Sequence, residues 1–216
     1  MRRPAVMLIT PEEARKWYGE DDSAHDFDHV LRVHALALRI ARAEGADVEI
    51  VSAAALLHDV ARAEADRLGA CHAEMGARQA REILRGHPPD KVEAIAVAIA
   101  SHRFRNSAEP PTLEAKVLYD ADKLDAIGAI GVARAYAIAG KWNQRLWSPW
   151  AEAAHLDAGA RDLHNADHTP VREFQVKLAK LRDSLYTDTA RAIAESRHRY
   201  MAEFFARLEQ EVAGEL

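Results

Sequence analysis

Apolar residues recur along this chain at the period of an α-helix, and turn-forming residues punctuate them. Thr10-Pro11-Glu12-Glu13 opens a short first helix, with Thr as cap, Pro at the first helical position and Glu placed for a capping box; Gly19 closes it. A polar, acidic linker follows, in which Asp26 or Asp28 can cap the next helix. From His29 to Ala43 the apolar positions Val30, Val33, Ala37 and Ile40 share one side, and Gly45 ends the run. Asp47 caps a third helix through Val60. Its body, Ala53-Ala-Ala-Leu-Leu-His58-Asp59-Val60-Ala61, is almost wholly apolar apart from one adjacent histidine and aspartate.

A mixed segment from Ala61 to Ala70 leads to a helix over His72 to Arg85, closed by Gly86 and Pro88-Pro89. Asp90 to Ser101 forms another, with Val92, Ile95, Ala96 and Ile99 inward and His102 just past its end. Asn106 to Pro111 reads as a loop. Thr112 caps a helix that runs through Asp122 and continues, with a bend near Gly128 or Gly131, to about Ala139. The stretch 140–170 differs in kind: it holds three of the four tryptophans (Trp142, Trp147 and Trp150) without a period, as expected of a lid or packed surface loop. A C-terminal helical segment over 171–213 places Phe174, Leu178, Leu181 and Leu185 on one face, with an interruption at Tyr186-Thr-Asp-Thr. No repeat or domain boundary is visible. The expectation is a single all-α domain over 1–216, a helical bundle.

Composition agrees with that reading. Hydrophobic residues make up 49% of 216, enough for a sizeable core, and alanine is abundant while β-branched runs are scarce. The formal charge of -5 is interspersed, so no nucleic-acid polymer or membrane partner is expected. A single cysteine, Cys71, excludes an internal disulfide and suits a reducing compartment. The N-terminal apolar run is too short for a signal peptide, and no stretch approaches a membrane span, so a cytoplasmic protein is expected.

Charge is disfavoured inside an apolar helix, which makes His58-Asp59 the chemically informative pair. In isolation such a pair reads as a core histidine hydrogen-bonded to its neighbour. Both groups become tolerable in a core if they hold a divalent cation, and adjacent helical positions about 100° apart can converge on one ion near a helix end. His29 near the start of one helix and Asp122 on another complete a mixed nitrogen and oxygen set. Such a set suits Mn, Ni, Co, Mg, Fe or Zn, and four protein ligands leave an octahedral ion room for water and substrate.

The ordered set His29, His58-Asp59, Asp122 resembles the signature of the HD-domain superfamily of metal-dependent phosphohydrolases. The likeness extends through His25-Asp-Phe-Asp-His29-Val-Leu-Arg-Val, Ser101-His-Arg-Phe-Arg-Asn106 and Tyr119-Asp-Ala-Asp-Lys-Leu-Asp-Ala-Ile-Gly128, and in texture it is similar to small bacterial nucleotide pyrophosphohydrolases. The resemblance implies an HD-type bundle that binds a divalent metal through His29, His58, Asp59 and Asp122. It also implies hydrolysis of a small phosphorylated substrate such as a nucleotide, with Asp59, Lys123 and Asp125 in catalytic roles. Asp125 would act as orienting group or base. His25, Arg62, His72, His102, Arg103 and Lys123 are the candidates to hold substrate. Arg62 stands where some members of the superfamily carry an acid, which puts the identity of the general base in question.

His72 and His102 admit two readings, a second metal bridged by Asp59 or contacts to substrate phosphate. With two irons the same fold would support an oxygenase; a helical module with a structural ion is the remaining alternative. A homodimer is compatible with all three. The tryptophans of 140–170 are candidates to stack on a nucleobase, or simply to plug the loop against the bundle.

Overall fold

The computed structural model describes residues 7–19, 27–103, 109–150 and 167–216. His25, the possible cap Asp26 and residues 151–166 of the tryptophan-bearing stretch therefore lie outside the described residues. The fold is all-α, as the periodicity predicts. Among the described residues no helix is long and apolar enough to cross a membrane.

The chain forms two compact units, Met1–Asp122 with Tyr186–Ala190, and Lys123–Leu185 with Arg191–Leu216. The first begins with α1 (Pro11–Arg15), held by a capping box in which Thr10 Oγ1 accepts from the Glu13 amide at 3.2 Å and Glu13 Oε2 accepts from the Thr10 amide at 2.8 Å. Helix α2 (Phe27–Glu44) starts two residues before His29, which places that histidine in its first turn, and buries Val30, Val33, Ala37 and Ile40. Asp47 Oδ1 caps α3 (Val48–Leu57) by accepting from the amides of Glu49 and Ile50. Every residue from Val51 to Leu57 is buried, because α2 packs on one side of α3 and the helix Pro89–Ser101 on another.

Helix α3 stops at Leu57, earlier than the expected Val60. The physical reason lies in its last carbonyls: Ala55 O is taken by His58 Nδ1 at 2.8 Å and Leu56 O by the Tyr18 hydroxyl at 2.9 Å. Side chains thus replace the amides that would have continued the helix. The mixed segment after Ala61 is itself helical, α4 (Arg62–Leu68), ended by Gly69 at φ 65°. Helices α5 (His72–Ile83) and α6 (Pro89–Ser101) pack against each other. Gly76 lets α5 approach closely, since a Cβ there would stand 3.2 Å from the His58 carbonyl oxygen and 3.3 Å from Ile99 Cγ2. His102 terminates α6 as His58 terminates α3.

Helix α7 (Leu113–Asp125) and α8 (Gly128–Lys141) are separate helices, where the sequence reading expects one bent helix. Gly128 has φ +81°, a left-handed conformation that no helix continues through. A Cβ on Gly131 would lie 2.4 Å from the Ala126 carbonyl oxygen, so only glycine lets α8 fold back over this turn. On α7, the fully buried Asp120 accepts from the Tyr186 amide at 2.9 Å and from the Thr187 amide and hydroxyl at 2.7 Å each. These bonds fix the expected interruption at Tyr186 and Thr187.

In the second unit, α9 (Pro170–Glu173) passes through one π-helical turn, Phe174–Leu178, into α10 (Ala179–Leu181). Beyond the interruption the chain continues as α11 (Asp188–Ala213). The Asp125 carboxylate is buried and receives Arg134 Nη1 at 3.3 Å. His168 Nε2 lies 2.8 Å from Glu173 Oε2, and Ser148 Oγ lies 2.7 Å from Thr169 Oγ1. Trp142 and Trp150 are exposed, and Trp150 packs against Phe174.

A candidate metal centre

The first unit brings residues from five helices or helix ends to one cluster. His29 arrives on the first turn of α2, His58 and Asp59 at the end of α3, His72 at the start of α5, His102 at the end of α6, and Asp122 on α7. His29 Nε2 is 3.4 Å from His58 Nε2, 3.8 Å from Asp59 Oδ2 and 3.5 Å from Asp122 Oδ1. His58 Nε2 is 3.6 Å from Asp59 Oδ2. On the other side, His72 Nε2 and His102 Nε2 are each 3.7 Å from Asp59 Oδ1. Asp59 therefore turns one oxygen to each histidine pair.

The donor chemistry fits a divalent cation. His58 Nδ1 donates to Ala55 O and His102 Nδ1 donates to Ile99 O at 2.6 Å, so in the neutral rings Nε2 carries the lone pair. Those lone pairs point at carboxylate oxygens, an arrangement of acceptors facing acceptors that a cation relieves. Two ligands each about 2.0–2.2 Å from one ion stand roughly 3–3.5 Å apart, close to the separations in this cluster. His29, His58, Asp59, His72 and His102 form a metal-binding cluster, in two groups that share Asp59.

Protonation states favour the same use. Burial holds the His58 imidazole down to about 4, against the pull of Asp59 and Asp122. Burial likewise takes His72 down to about 3. For Asp59, burial works against ionisation, but His58, Arg62 and His102 outweigh it and keep the carboxyl well below its usual range. His58 and His72 thus present neutral imidazoles and Asp59 an ionised carboxylate at neutral pH, the states that bind metals.

A pH dependence follows with a defined sign. In the unfolded chain these imidazoles take up a proton below their ordinary value of 6.5, whereas in the fold His58 stays neutral to about 4 and His72 to about 3. The unfolded state binds more protons in that window, so the stability of the metal-free protein should be complete above pH 6.5 and decline steadily toward pH 4. Thermal melts of chelator-treated protein across that range check this; a melting temperature that stayed flat or rose on acidification would contradict it.

The remaining candidates fall as follows. Arg62 Nη1 approaches Asp59 at 3.3 Å from Oδ2 and 3.4 Å from Oδ1. Arg103 is half-buried beside Cys71, which stands at the position just before α5. Lys123 and Asp125 close the last turn of α7 in the second unit, where Asp125 takes Arg134. His34, which the sequence places about 140° around the helix from His29, hydrogen-bonds Ser52 Oγ at 2.8 Å and stands apart from the cluster. Two features escape sequence reasoning: the carbonyls of Ala55 and Ile99, which orient the histidines three residues later, and the Tyr18 hydroxyl on Leu56 O. A histidine three residues beyond an apolar helical position, at a helix end, is the signal that would have found the first of these.

Comparison with known proteins gives a consistent result. Residues 26–127 match the HD domain family. YpgQ of Bacillus subtilis is 32% identical over 216 residues, covering 96% of each chain. The crystal structure of B. subtilis YpgQ in complex with ADP superposes with a TM-score of 0.73 at 31% identity, over 95% of this chain and 99% of that one. An HD-superfamily hydrolase from Bacillus thuringiensis gives a TM-score of 0.69 at 29% identity, over 94% of both chains.

Proposed function

Because the chain belongs to the HD-domain phosphohydrolase superfamily, a family of hydrolases, we propose that it cleaves a phosphoester or phosphoanhydride bond in a nucleotide or related phosphorylated metabolite. The observation that carries the reading is the convergence on His29, whose Nε2 lies 3.4 to 3.8 Å from ligand atoms of His58, Asp59 and Asp122. The ADP bound by YpgQ, a relative along nearly the whole chain, favours a nucleotide.

In this reading His29, His58, Asp59 and Asp122 hold one divalent ion. Such an ion supplies a Lewis acid for a phosphoryl oxygen and yields a nucleophile from water near neutral pH. The Ala55 carbonyl keeps the His58 tautomer fixed with its lone pair inward. Arg62 and Arg103 are the candidates to bind substrate phosphate in the first unit, with His25 and Lys123 added by their place in the sequence. Asp125 is retained as a catalytic or orienting carboxylate on the same ground, with Arg134 steering its side chain.

The equal approach of His72 and His102 to Asp59 Oδ1 supports a second reading, in which they and Asp59 hold a second ion. Otherwise the two imidazoles contact substrate phosphate. With two irons the centre would suit an oxygenase instead.

One experiment separates these. Chelator-stripped protein should be inactive and should recover on adding Mn, Mg, Co, Ni, Fe or Zn singly, when screened against phosphorylated metabolites with monophosphate, phosphate and pyrophosphate scored apart. Pyrophosphate release identifies cleavage within a triphosphate. Metal analysis counts one ion or two. Two irons with a visible absorption band and no phosphate release would overturn the hydrolase reading, as would failure of every metal to restore any turnover.

A further inference from the structure

We propose that Arg62 is an exchangeable counter-ion for Asp59: its guanidinium neutralises the carboxylate in the metal-free protein and gives way when a divalent cation arrives. The inference rests on the reading of the cluster as a metal centre and concerns how that centre is loaded.

Asp59 is only 5% exposed, and the groups that surround it through its two oxygens are mostly imidazole lone pairs. An ionised carboxylate so placed is strongly disfavoured without a counter-charge. Arg62 supplies one. It stands on the first residue of α4, three positions after Asp59, and a single nitrogen, Nη1, approaches both carboxylate oxygens at 3.3 and 3.4 Å. Those separations exceed the roughly 2.7–2.9 Å of a locked charge-assisted hydrogen bond. The guanidinium neutralises Asp59 at distances longer than those of a locked pair.

Arg62 also has somewhere to go. Its side chain is 30% exposed, whereas Asp59 is enclosed. Asp66, one turn further along α4 and 70% exposed, lies 3.8 Å from Arg62 Nε. Asp66 is thus a second, outward seat for the same charge. The oxygen that Nη1 approaches most closely, Oδ2, is the one that faces His29 and His58. A dication bound by that oxygen and a guanidinium at its present distance repel each other across a few ångströms of partly buried space. The arrangement therefore has two balanced states, Arg62 on Asp59 or a metal on Asp59 with Arg62 turned toward Asp66. Arg62 stabilises the first and restrains affinity in the second.

The test measures metal affinity and stability rather than turnover. Mn is titrated calorimetrically into chelator-stripped wild type, Arg62→Gln, Arg62→Lys and Asp66→Asn, with melting temperatures taken in chelator and in saturating Mn. Arg62→Gln should bind Mn at least about tenfold more tightly than wild type, because like-charge repulsion is gone. It should melt below wild type in chelator, and the gap should close in saturating Mn. Arg62→Lys should remain near wild type in affinity. Asp66→Asn removes the outward seat while leaving residue 62 and the cluster intact, and it should bind Mn more weakly than wild type. The proposal is overturned if Arg62→Gln binds Mn no more tightly than wild type, if its melting deficit persists unchanged in saturating Mn, or if Asp66→Asn leaves affinity unaltered. Should wild type and all variants fail to bind any divalent metal, the metal-centre reading itself falls, and this inference with it; wild-type binding with unaltered variants sinks the inference alone.

Discussion

Asp59→Asn should abolish metal loading and reduce turnover by on the order of a thousandfold or more, while leaving the fold in place. The amide has nearly the shape of the carboxylate, so packing around residue 59 is preserved. What disappears is the charge, together with one of the two acceptor oxygens that serve opposite histidine pairs: Oδ2 faces His29 and His58, Oδ1 faces His72 and His102. No neighbouring acid described in the cluster can replace it on both sides. Asp122 approaches the cluster through His29. Arg62, which loses its partner, is part-exposed and next to Asp66, so it is not stranded. Circular dichroism should remain that of wild type, while Mn titration gives no heat and hydrolysis is lost. A variant that retained tight metal binding and more than a tenth of wild-type turnover would show that Asp59 is not the shared ligand.

Asp120→Ala should be the most destabilising single change among the residues discussed. Its carboxylate is fully buried and accepts from two backbone amides, Tyr186 and Thr187, and from the Thr187 hydroxyl. Removing it strands three donors away from water at about 1–3 kcal/mol apiece, or roughly 3–9 kcal/mol together. For a chain of this length each kcal/mol shifts the melting temperature by about 2–4 °C, so a fall of roughly 6 °C or more is expected. Thr187 Oγ1 also accepts from the Ala190 amide at 3.3 Å, so the start of α11 should fray as well. Asp120→Asn should lie between, because its amide nitrogen meets donors where an acceptor is needed. Differential scanning calorimetry checks the series; a fall of less than a degree for the alanine variant would mean that water replaces the lost acceptor.

The cluster's outline is legible in the sequence because its residues interrupt apolar helical stripes. His29 breaks the face of Val30 and Val33, and His58-Asp59 ends an otherwise apolar run, so each is conspicuous without any partner in view. Elements with an apolar face, α2, α3, α5 and α6, are likewise readable to within a few residues. Helix α4 is not, since Arg62-Ala-Glu-Ala-Asp-Arg-Leu buries only Ala65 and has almost no stripe to detect. The end of α3 escapes a reading of its own residues because it depends on Tyr18, 38 residues upstream in the chain, taking the Leu56 carbonyl. The placement of His72 and His102 on one oxygen of Asp59 depends on how α5 and α6 pack together and α6 packs on α3, with Gly76 allowing the approach. Asp120 is indistinguishable from any helical acid, because its donors lie 66 and 67 residues further along. Periodicity reports which face is buried. It carries no information about which distant backbone groups a buried acid will meet.

Helices α3 and α6 both terminate at the cluster, with His58 and His102 as their closing residues. Helices α2 and α5 begin at the same cluster, so their positive poles offset the negative poles of α3 and α6 and leave the carboxylates of Asp59 and Asp122 to set the local field. The acceptors that face one another there, the Asp59 oxygens and the Nε2 lone pairs of His58 and His102, draw in a cation more readily than a bare phosphate group. Catalysis should therefore follow a compulsory sequence of addition, ion before substrate. Raising the metal concentration should lower the apparent KM for substrate, and raising substrate alone should never substitute for metal.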